Sequence, residues 1–205
     1  MKVLCLCILI SFCSLFLGCV QVCPDGQLLL ETYRLTEYEK SLIPFKAFTE
    51  IPYENELGEL VVANTQPRDL ELMSNQTIPE NCEYFEYETI ENFVNFIDLG
   101  FSIELNMVKF ETFTSFTMAY VESGNTSARE KLQELSDFSE NDSETVNFMG
   151  TEIRGVFVFS NPDSNGNIAF VCYSSIGRGI ELIQFSDGHY IIRKKNFEIR
   201  KNRRY

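Results

Sequence analysis

His189 is the only histidine in the chain, and any Ser-His-Asp or Cys-His catalysis would have to use it. The sequence contains no Gly-x-Ser-x-Gly turn, the motif that presents a catalytic serine in many hydrolases. His189 instead follows Asp187-Gly188, a pair typical of a hairpin turn, where we expect a half-exposed imidazole. The sequence therefore predicts no catalytic residue and disfavours an enzyme. A glycan-processing enzyme with two carboxylates remains the enzymatic alternative, because 30 acidic residues single out no pair.

Residues 161–168 resemble the start of an EF-hand calcium loop, with oxygen side chains at positions 1, 3 and 5 and glycine at position 6. Cys172 stands at position 12, where a bidentate glutamate is required, and Pro162 occupies position 2. The flanking segments have strand patterns, so we expect a polar hairpin connection. The cysteines are too scattered for a zinc site. We predict no metal ion and no cofactor.

The N-terminus has the pattern of a secretory signal peptide. Met1 and Lys2 precede an apolar run over 3–17, which is shorter than the roughly 20 residues that a membrane-spanning helix needs. Small residues follow at 18–22, where cleavage is expected. We predict that 1–20 is the signal peptide, that the protein is secreted and extracellular, and that no membrane span remains after its removal.

Three sequons of the type Asn-x-Ser/Thr lie in the mature chain, at Asn75, Asn125 and Asn141. None has proline in the middle, and all lie in polar stretches. We therefore expect an N-glycosylated protein with these positions facing solvent.

Three of the seven cysteines, Cys5, Cys7 and Cys13, lie in the apolar run and leave with the signal peptide. The secreted chain keeps Cys23, Cys82 and Cys172, together with Cys19 if cleavage precedes it. An oxidising compartment favours pairing. The expected disulfide joins either Cys82 or Cys23 to Cys172.

Charge is distributed unevenly along the chain. The net charge is −13, yet residues 190–205 hold seven basic residues and one acidic residue. This tail could bind glycosaminoglycan or another anionic surface, or it could cross the acidic body and reduce its self-repulsion. The acidic body disfavours nucleic acid as a partner. The polyanion-binding candidates are Arg193, Lys194, Lys195, Arg200, Lys201, Arg203 and Arg204.

Capping patterns and apolar periodicity predict two or three short helices. Thr36 with Glu39 forms a capping-box pattern. Residues 89–97 carry apolar side chains at i, i+3, i+4 and i+7, the spacing of one helical face. A second capping pattern begins at Ser127 and precedes a narrow apolar stripe that ends at Phe138.

Alternation of apolar and polar residues, turn signals and β-branched or aromatic content predict about seven strands. The runs at 101–107 and 113–121 are expected to form a hairpin, and the last four strands a meander. The predicted strands are 27–35, 101–107, 113–121, 153–159, 168–173, 180–185 and 190–199, with a weaker candidate at 60–62.

These elements predict an α+β fold, predominantly antiparallel β, barrel-like or sandwich-like, in a single domain at 21–205 with a basic C-terminal tail. The chain has 18 Phe and nine Tyr, which could fill a solid core or line an apolar cavity. A closed barrel would be similar to lipocalins in architecture only, since the Gly-x-Trp motif of that family is absent.

Two functions follow as expectations. The first is a secreted binding module for a protein partner or a small hydrophobic ligand. The alternative is a secreted effector or structural glycoprotein that docks on cell-surface polyanions through its basic C-terminus.

Overall fold

The structure, a computed structural model, describes residues 28–78, 82–123, 129–163 and 166–194, without the side chains of 75–78. These residues form fourteen strands, one α-helix and two short 3-10 turns. The prediction of an α+β fold with about seven strands and two or three helices is therefore wrong, although the β-rich character is confirmed. The strands are β1 Leu28–Tyr33, β2 Thr49–Asn55, β3 Leu60–Thr65, β4 Asp69–Ile78, β5 Glu83–Phe96, β6 Phe101–Lys109, β7 Thr114–Glu122, β8 Arg129–Lys131, β9 Leu135–Ser136, β10 Glu144–Phe148, β11 Thr151–Ser160, β12 Ile168–Ser174, β13 Ile180–Phe185 and β14 Tyr190–Arg193; α1 is Glu37–Leu42, and the 3-10 turns are Ile97–Leu99 and Glu140–Asp142.

All strands belong to one antiparallel sheet with the order β10-β11-β12-β13-β14-β2-β3-β5-β6-β7-β8. β1 and β4 also pair with β5, and β9 pairs with β7. The predicted β6–β7 hairpin is confirmed, as is the C-terminal meander from β11 to β14. The sequence could not show that β14 returns to pair with β2, because that contact joins Ile191 to Asn55 across most of the chain.

The chain divides into two compact units. The described part of the first unit is 28–32, 74–78 and 82–86. Within it, the Leu28 N–H donates to the Cys82 carbonyl oxygen at 2.9 Å, and the Thr32 hydroxyl donates to Glu86 at 3.0 Å. The second unit contains the remaining described residues and all the clefts discussed below.

The helix predicted at 89–97 is wrong, because this segment forms the second half of β5. Ile90, Val94 and Phe96 are all fully buried on one face of the strand. The strand pairs with β6 over its whole second half, from Thr89 opposite Val108 to Phe96 opposite Phe101. Residues four apart share a face in a helix and also in a strand, so the spacing of Ile90 and Val94 fits both periods.

The helix predicted from Ser127 to Phe138 is also wrong. Its described residues form β8, β9 and the loop between them. The Glu130 side chain caps no helix but accepts hydrogen bonds from Asn161 and from the Asn167 N–H, the latter at 2.8 Å. These hydrogen bonds attach the polar loop between β11 and β12 to Glu130 of β8. The Gln133 N–H donates to the Ser160 carbonyl at 2.8 Å, so the sheet of this unit curls back on itself.

The helix predicted after Thr36 is confirmed as α1. The Thr36 hydroxyl accepts from the Glu39 N–H, and the Glu39 carboxylate accepts from the Thr36 N–H. The buried Glu39 side chain also accepts from the hydroxyl of Thr114 and lies 3.5 Å from the ammonium of Lys109. A local capping motif therefore also anchors α1 to β6 and β7.

The main hydrophobic core is filled by aromatic side chains. Two of them satisfy their hydroxyl groups inside it: Tyr53 donates to the Ile180 carbonyl at 3.1 Å, and Tyr173 donates to the Leu42 carbonyl at 2.6 Å. Neighbouring aromatic rings also contact one another in the geometries that aromatic pairs prefer. The aromatic side chains thus mainly fill the hydrophobic core. The largest aromatic residues with less than 2% exposure are Tyr53, Phe96, Phe116, Phe159 and Tyr173.

Candidate functional site

The turns that join β2 to β3, β5 to β6 and β13 to β14 meet at one end of the second unit. Side chains from these turns and the adjoining strands surround an open cleft of about 260 Å³, which we call the mouth cleft. Rigid strands thus present residues on connecting turns, a common arrangement for binding sites. Its lining includes Glu56, Leu99, Phe101, Phe185, His189 and Ile191.

The floor of the mouth cleft is part of the main core. Phe101 is only 3% exposed and belongs to the core cluster. Its ring stacks on Phe96 with centroids 4.7 Å apart and on Tyr120 at 5.3 Å. Phe185 contacts it edge-on at 5.6 Å. A ligand in this cleft would therefore rest on rings that the core holds in place.

One rim of the mouth cleft is polar and carries the single histidine. Nδ1 of His189 lies 2.5 Å from a carboxylate oxygen of Glu56, and Nε2 lies 3.9 Å from Asp187. The hydrogen bond with Glu56, followed by the charges of Asp187 and Glu56, raises the pKa of His189. The backbone N–H of Glu56 and then the His189 contact lower the pKa of Glu56. The rim favours a protonated imidazole beside a carboxylate.

The described lining of the mouth cleft lacks several side-chain types that serve in nucleophilic catalysis. Among the described residues that line the cleft, none is Ser, Thr or Cys, and none is Lys or Arg. Beside His189, the described lining thus offers a carboxylate, Glu56, and a phenol, Tyr190, but no Ser or Thr hydroxyl and no thiol. Across the described ranges, no group of three or more His, Cys, Asp or Glu side chains could hold a metal ion.

Two further clefts open elsewhere on the second unit. One, of about 270 Å³, has Ile153 and Ile192 in its lining together with charged side chains. The other, of about 240 Å³, is lined by Lys40, Lys46 and Arg68 among others. Arg68 donates to the Ile43 carbonyl at 3.0 Å after the end of α1, and Lys40 lies 3.1 Å from the buried Glu88. These two cations already have structural partners.

Of the predicted polyanion-binding residues, the structure describes two. Arg193 lies 3.9 Å from the buried carboxylate of Glu181 and donates to the Arg178 carbonyl. Lys194 lies 2.6 Å from Glu54. Both cations are therefore paired with carboxylates, as expected if this segment reduces the repulsion of an acidic body. The other five candidates, Lys195, Arg200, Lys201, Arg203 and Arg204, lie outside the described residues.

The predicted disulfide to Cys172 is wrong. Cys172 is a free thiol, fully buried in a small apolar cluster with Val156 and Leu182. Burial, and secondarily the nearby carboxylates of Glu144 and Glu181, raises the pKa of this thiol to about 12. Cys172 faces this small cluster, which explains the misassignment, since a buried free cysteine behaves as a small apolar residue.

The structure describes the remaining predicted residues only in part. Cys82 lies in the first unit, and Cys23 falls outside the described residues, as does the segment 1–20 that is predicted to be a signal peptide. Asn141 is exposed in a 3-10 turn, a position open to modification. Asn75 lies in β4 with its side chain outside the description, and Asn125 lies outside it entirely. Disulfide formation and glycosylation stay predictions.

The sequence correctly predicts that His189 lies in a hairpin turn, where its side chain is 64% exposed, but it does not reveal the site around it. Glu56 is 133 positions earlier in the chain, and no local pattern links the two. The sequence does not single out Leu99, which lies in the turn that leads into Phe101. The only local signal is Asp187-Gly188 before His189. It predicts the turn but not the residues that surround the turn in the fold.

Comparisons with known proteins do not suggest a function for this chain. No protein-family model, curated protein or solved structure matches the chain. In the part of the chain that the structure describes, no helix is long and apolar enough to cross a membrane.

Proposed function

We propose that this chain is a secreted glycoprotein that acts as a binding module and takes a small, largely apolar ligand in the mouth cleft. The observation that carries the proposal is the floor of that cleft, where the partly exposed ring of Phe185 lies beside Phe101 and Ile191 of the hydrophobic core. Ligand sites commonly combine an apolar lining with a few polar groups at the rim. The His189–Glu56 pair supplies those polar groups here.

The size of the cleft limits what can bind. At about 260 Å³ it is slightly smaller than the roughly 300–1,000 Å³ of drug-sized sites. It fits a bicyclic ring system or one large side chain of a partner protein. We favour the small molecule, because a protein partner would need a wider interface of about 800 Å² per side.

Secretion and glycosylation belong to the same proposal. They are supported by the signal-peptide pattern at 1–20, by the three sequons and by the exposure of Asn141. With Cys172 free, the remaining pairing for Cys82 in the mature chain is a cysteine near the N-terminus, such as Cys23. The hydrogen bond from Leu28 to Cys82 supports this pairing, since Cys23 is only five positions before Leu28.

The proposal is tested with the neutral fluorophore N-phenyl-1-naphthylamine, whose emission can be followed with little protein background because the chain has no Trp. We expect the secreted full chain to bind one equivalent, with a dissociation constant on the order of 0.1 mM or tighter. Leu99→Gln should weaken binding about tenfold by removing apolar contact. Leu99 is 45% exposed, so the substitution should leave the fold intact.

The matched control is Ile176→Gln, which makes a similar change at a residue that is 57% exposed and lies in the turn between β12 and β13. This variant should bind the fluorophore as the unmodified chain does. Equal binding by all three proteins, or no binding by any of them, would refute the mouth cleft as a ligand site.

A further inference from the structure

We infer that the ligand of the mouth cleft is an amphiphile with a positively charged amine attached to an aromatic or aliphatic body. This inference rests on the proposed function and names the class of molecule that the site would select. The cleft provides the binding volume, and its rim determines the charge of the ligand.

The charges at the rim favour a cation. Glu56 lines the cleft, and Asp187 lies within 3.9 Å of His189 on the same side. Within the described lining there is no Lys or Arg to attract an anion. With His189 neutral, these three groups carry a net charge of −2, and with His189 protonated they carry −1. Either state attracts an ammonium group and repels a carboxylate.

The aromatic lining favours the same class of ligand. Phe185 and Tyr190 contribute partly exposed rings to the cleft, whereas the ring of Phe101 is almost fully covered by its neighbours. The faces of aromatic rings attract ammonium groups, while their apolar surface accepts a hydrocarbon body. A carboxylate rim beside a floor of aromatic rings therefore matches an amine better than an alcohol of the same shape.

His189 would compete with such a ligand for Glu56. Its Nδ1 lies 2.5 Å from one carboxylate oxygen of Glu56, the group that would also bind the ammonium of the ligand. When His189 is protonated, its charge offsets that of Glu56, and an incoming ammonium gains less. Within ion-pair distance in the described structure, His189 faces Glu56 from the β2–β3 turn and Asp187 from its own turn. Amine binding should therefore strengthen as the pH rises and His189 loses its proton.

The test uses three probes with one naphthyl body and different charges: 2-(2-naphthyl)ethylamine, 2-(2-naphthyl)ethanol and 3-(2-naphthyl)propanoate. At low ionic strength and about pH 8, we expect the amine to bind about fivefold more tightly than the alcohol, and the propanoate to bind most weakly. The preference for the amine should fall as the pH is lowered through the raised pKa of His189. It should also fall at high salt, where the charges are screened.

Two variants separate charge from shape. Glu56→Gln keeps the size of the side chain and should bring the amine and the alcohol to similar affinity. His189→Gln should keep the preference for the amine and remove its dependence on pH between about 6 and 8. Both residues are at least partly exposed, so neither change should affect folding.

The outcomes distinguish the two proposals. If the alcohol and the amine bind equally to the unmodified chain, the inference about charge is wrong and the proposed cleft stands. If the propanoate binds most tightly, the inference is also wrong. If no probe binds, both the charge preference and the proposed function fail.

Discussion

Replacing Phe101 with alanine is expected to lower the free energy of unfolding by about 3 to 5 kcal/mol. Phe101 is almost fully buried and contacts Phe96, Tyr120 and Phe185 through its ring. The substitution removes these contacts and leaves a void below the mouth cleft. Chemical denaturation of the full chain, followed through its far-UV signal, measures the change.

The matched control is Phe113→Ala. Phe113 also stacks on a neighbour, Phe110, at 4.7 Å, but it is only half-buried. We expect this variant to lose about 1 kcal/mol, because less apolar area leaves water at that position. If Phe101→Ala proves too unstable to purify, Phe101→Leu should fold and lose about 1 to 2 kcal/mol. Equal losses for Phe101→Ala and Phe113→Ala would contradict the packing described here.

Replacing Glu39 with glutamine is expected to destabilise the protein by about 1 to 3 kcal/mol near neutral pH. Burial by itself raises the pKa of Glu39, but hydrogen bonds from Thr114 and Thr36 and the charge of Lys109 outweigh it and lower the pKa below its usual value. The carboxylate of Glu39 therefore stabilises the folded state, and an amide cannot accept all of these hydrogen bonds.

The sign of the pH dependence follows from this lowered pKa. The unfolded chain binds the proton at a higher pH than the folded chain, so the stabilisation is complete above the usual pKa of 4.5. It is lost as the pH falls through the lower pKa of the folded state. The gap in stability between the unmodified chain and Glu39→Gln should therefore narrow below about pH 4.5.

Glu37→Gln is the control for Glu39, since both residues lie in the first turn of α1. The Glu37 side chain is 95% exposed, and its ion pair with Lys40 is long, at 3.8 Å. We expect a change within about 0.5 kcal/mol and no narrowing at low pH. Equal effects from the two substitutions would show that the buried network under α1 does not stabilise the fold.

What the sequence could predict depends on the range of the interactions. The capping box of Thr36 and Glu39 is local, and so is the turn signal at Asp187-Gly188; both are confirmed. The apolar spacing at 90–97 could not separate a helix from a strand, since residues four apart share a face in either. Pairing with β6, a tertiary contact, decides that case.

The candidate site depends on contacts that the sequence does not reveal. Glu130 stood in a capping pattern but binds the loop between β11 and β12 instead. The mouth cleft requires three turns from distant parts of the chain to meet. The expectation of a small hydrophobic ligand arose from the aromatic content. In the described residues those rings mainly fill the core, and some of them also line the mouth cleft.

The most direct test of the mouth cleft is photo-crosslinking with a naphthalene probe that carries a diazirine, followed by peptide sequencing of the labelled protein. We expect the label on residues of the turn and strand at 97–101 and on 185–191, and we expect an excess of N-phenyl-1-naphthylamine to prevent it. Labelling at Ile153 or Ile192 instead, or labelling that the competitor does not reduce, would contradict a ligand site in the mouth cleft.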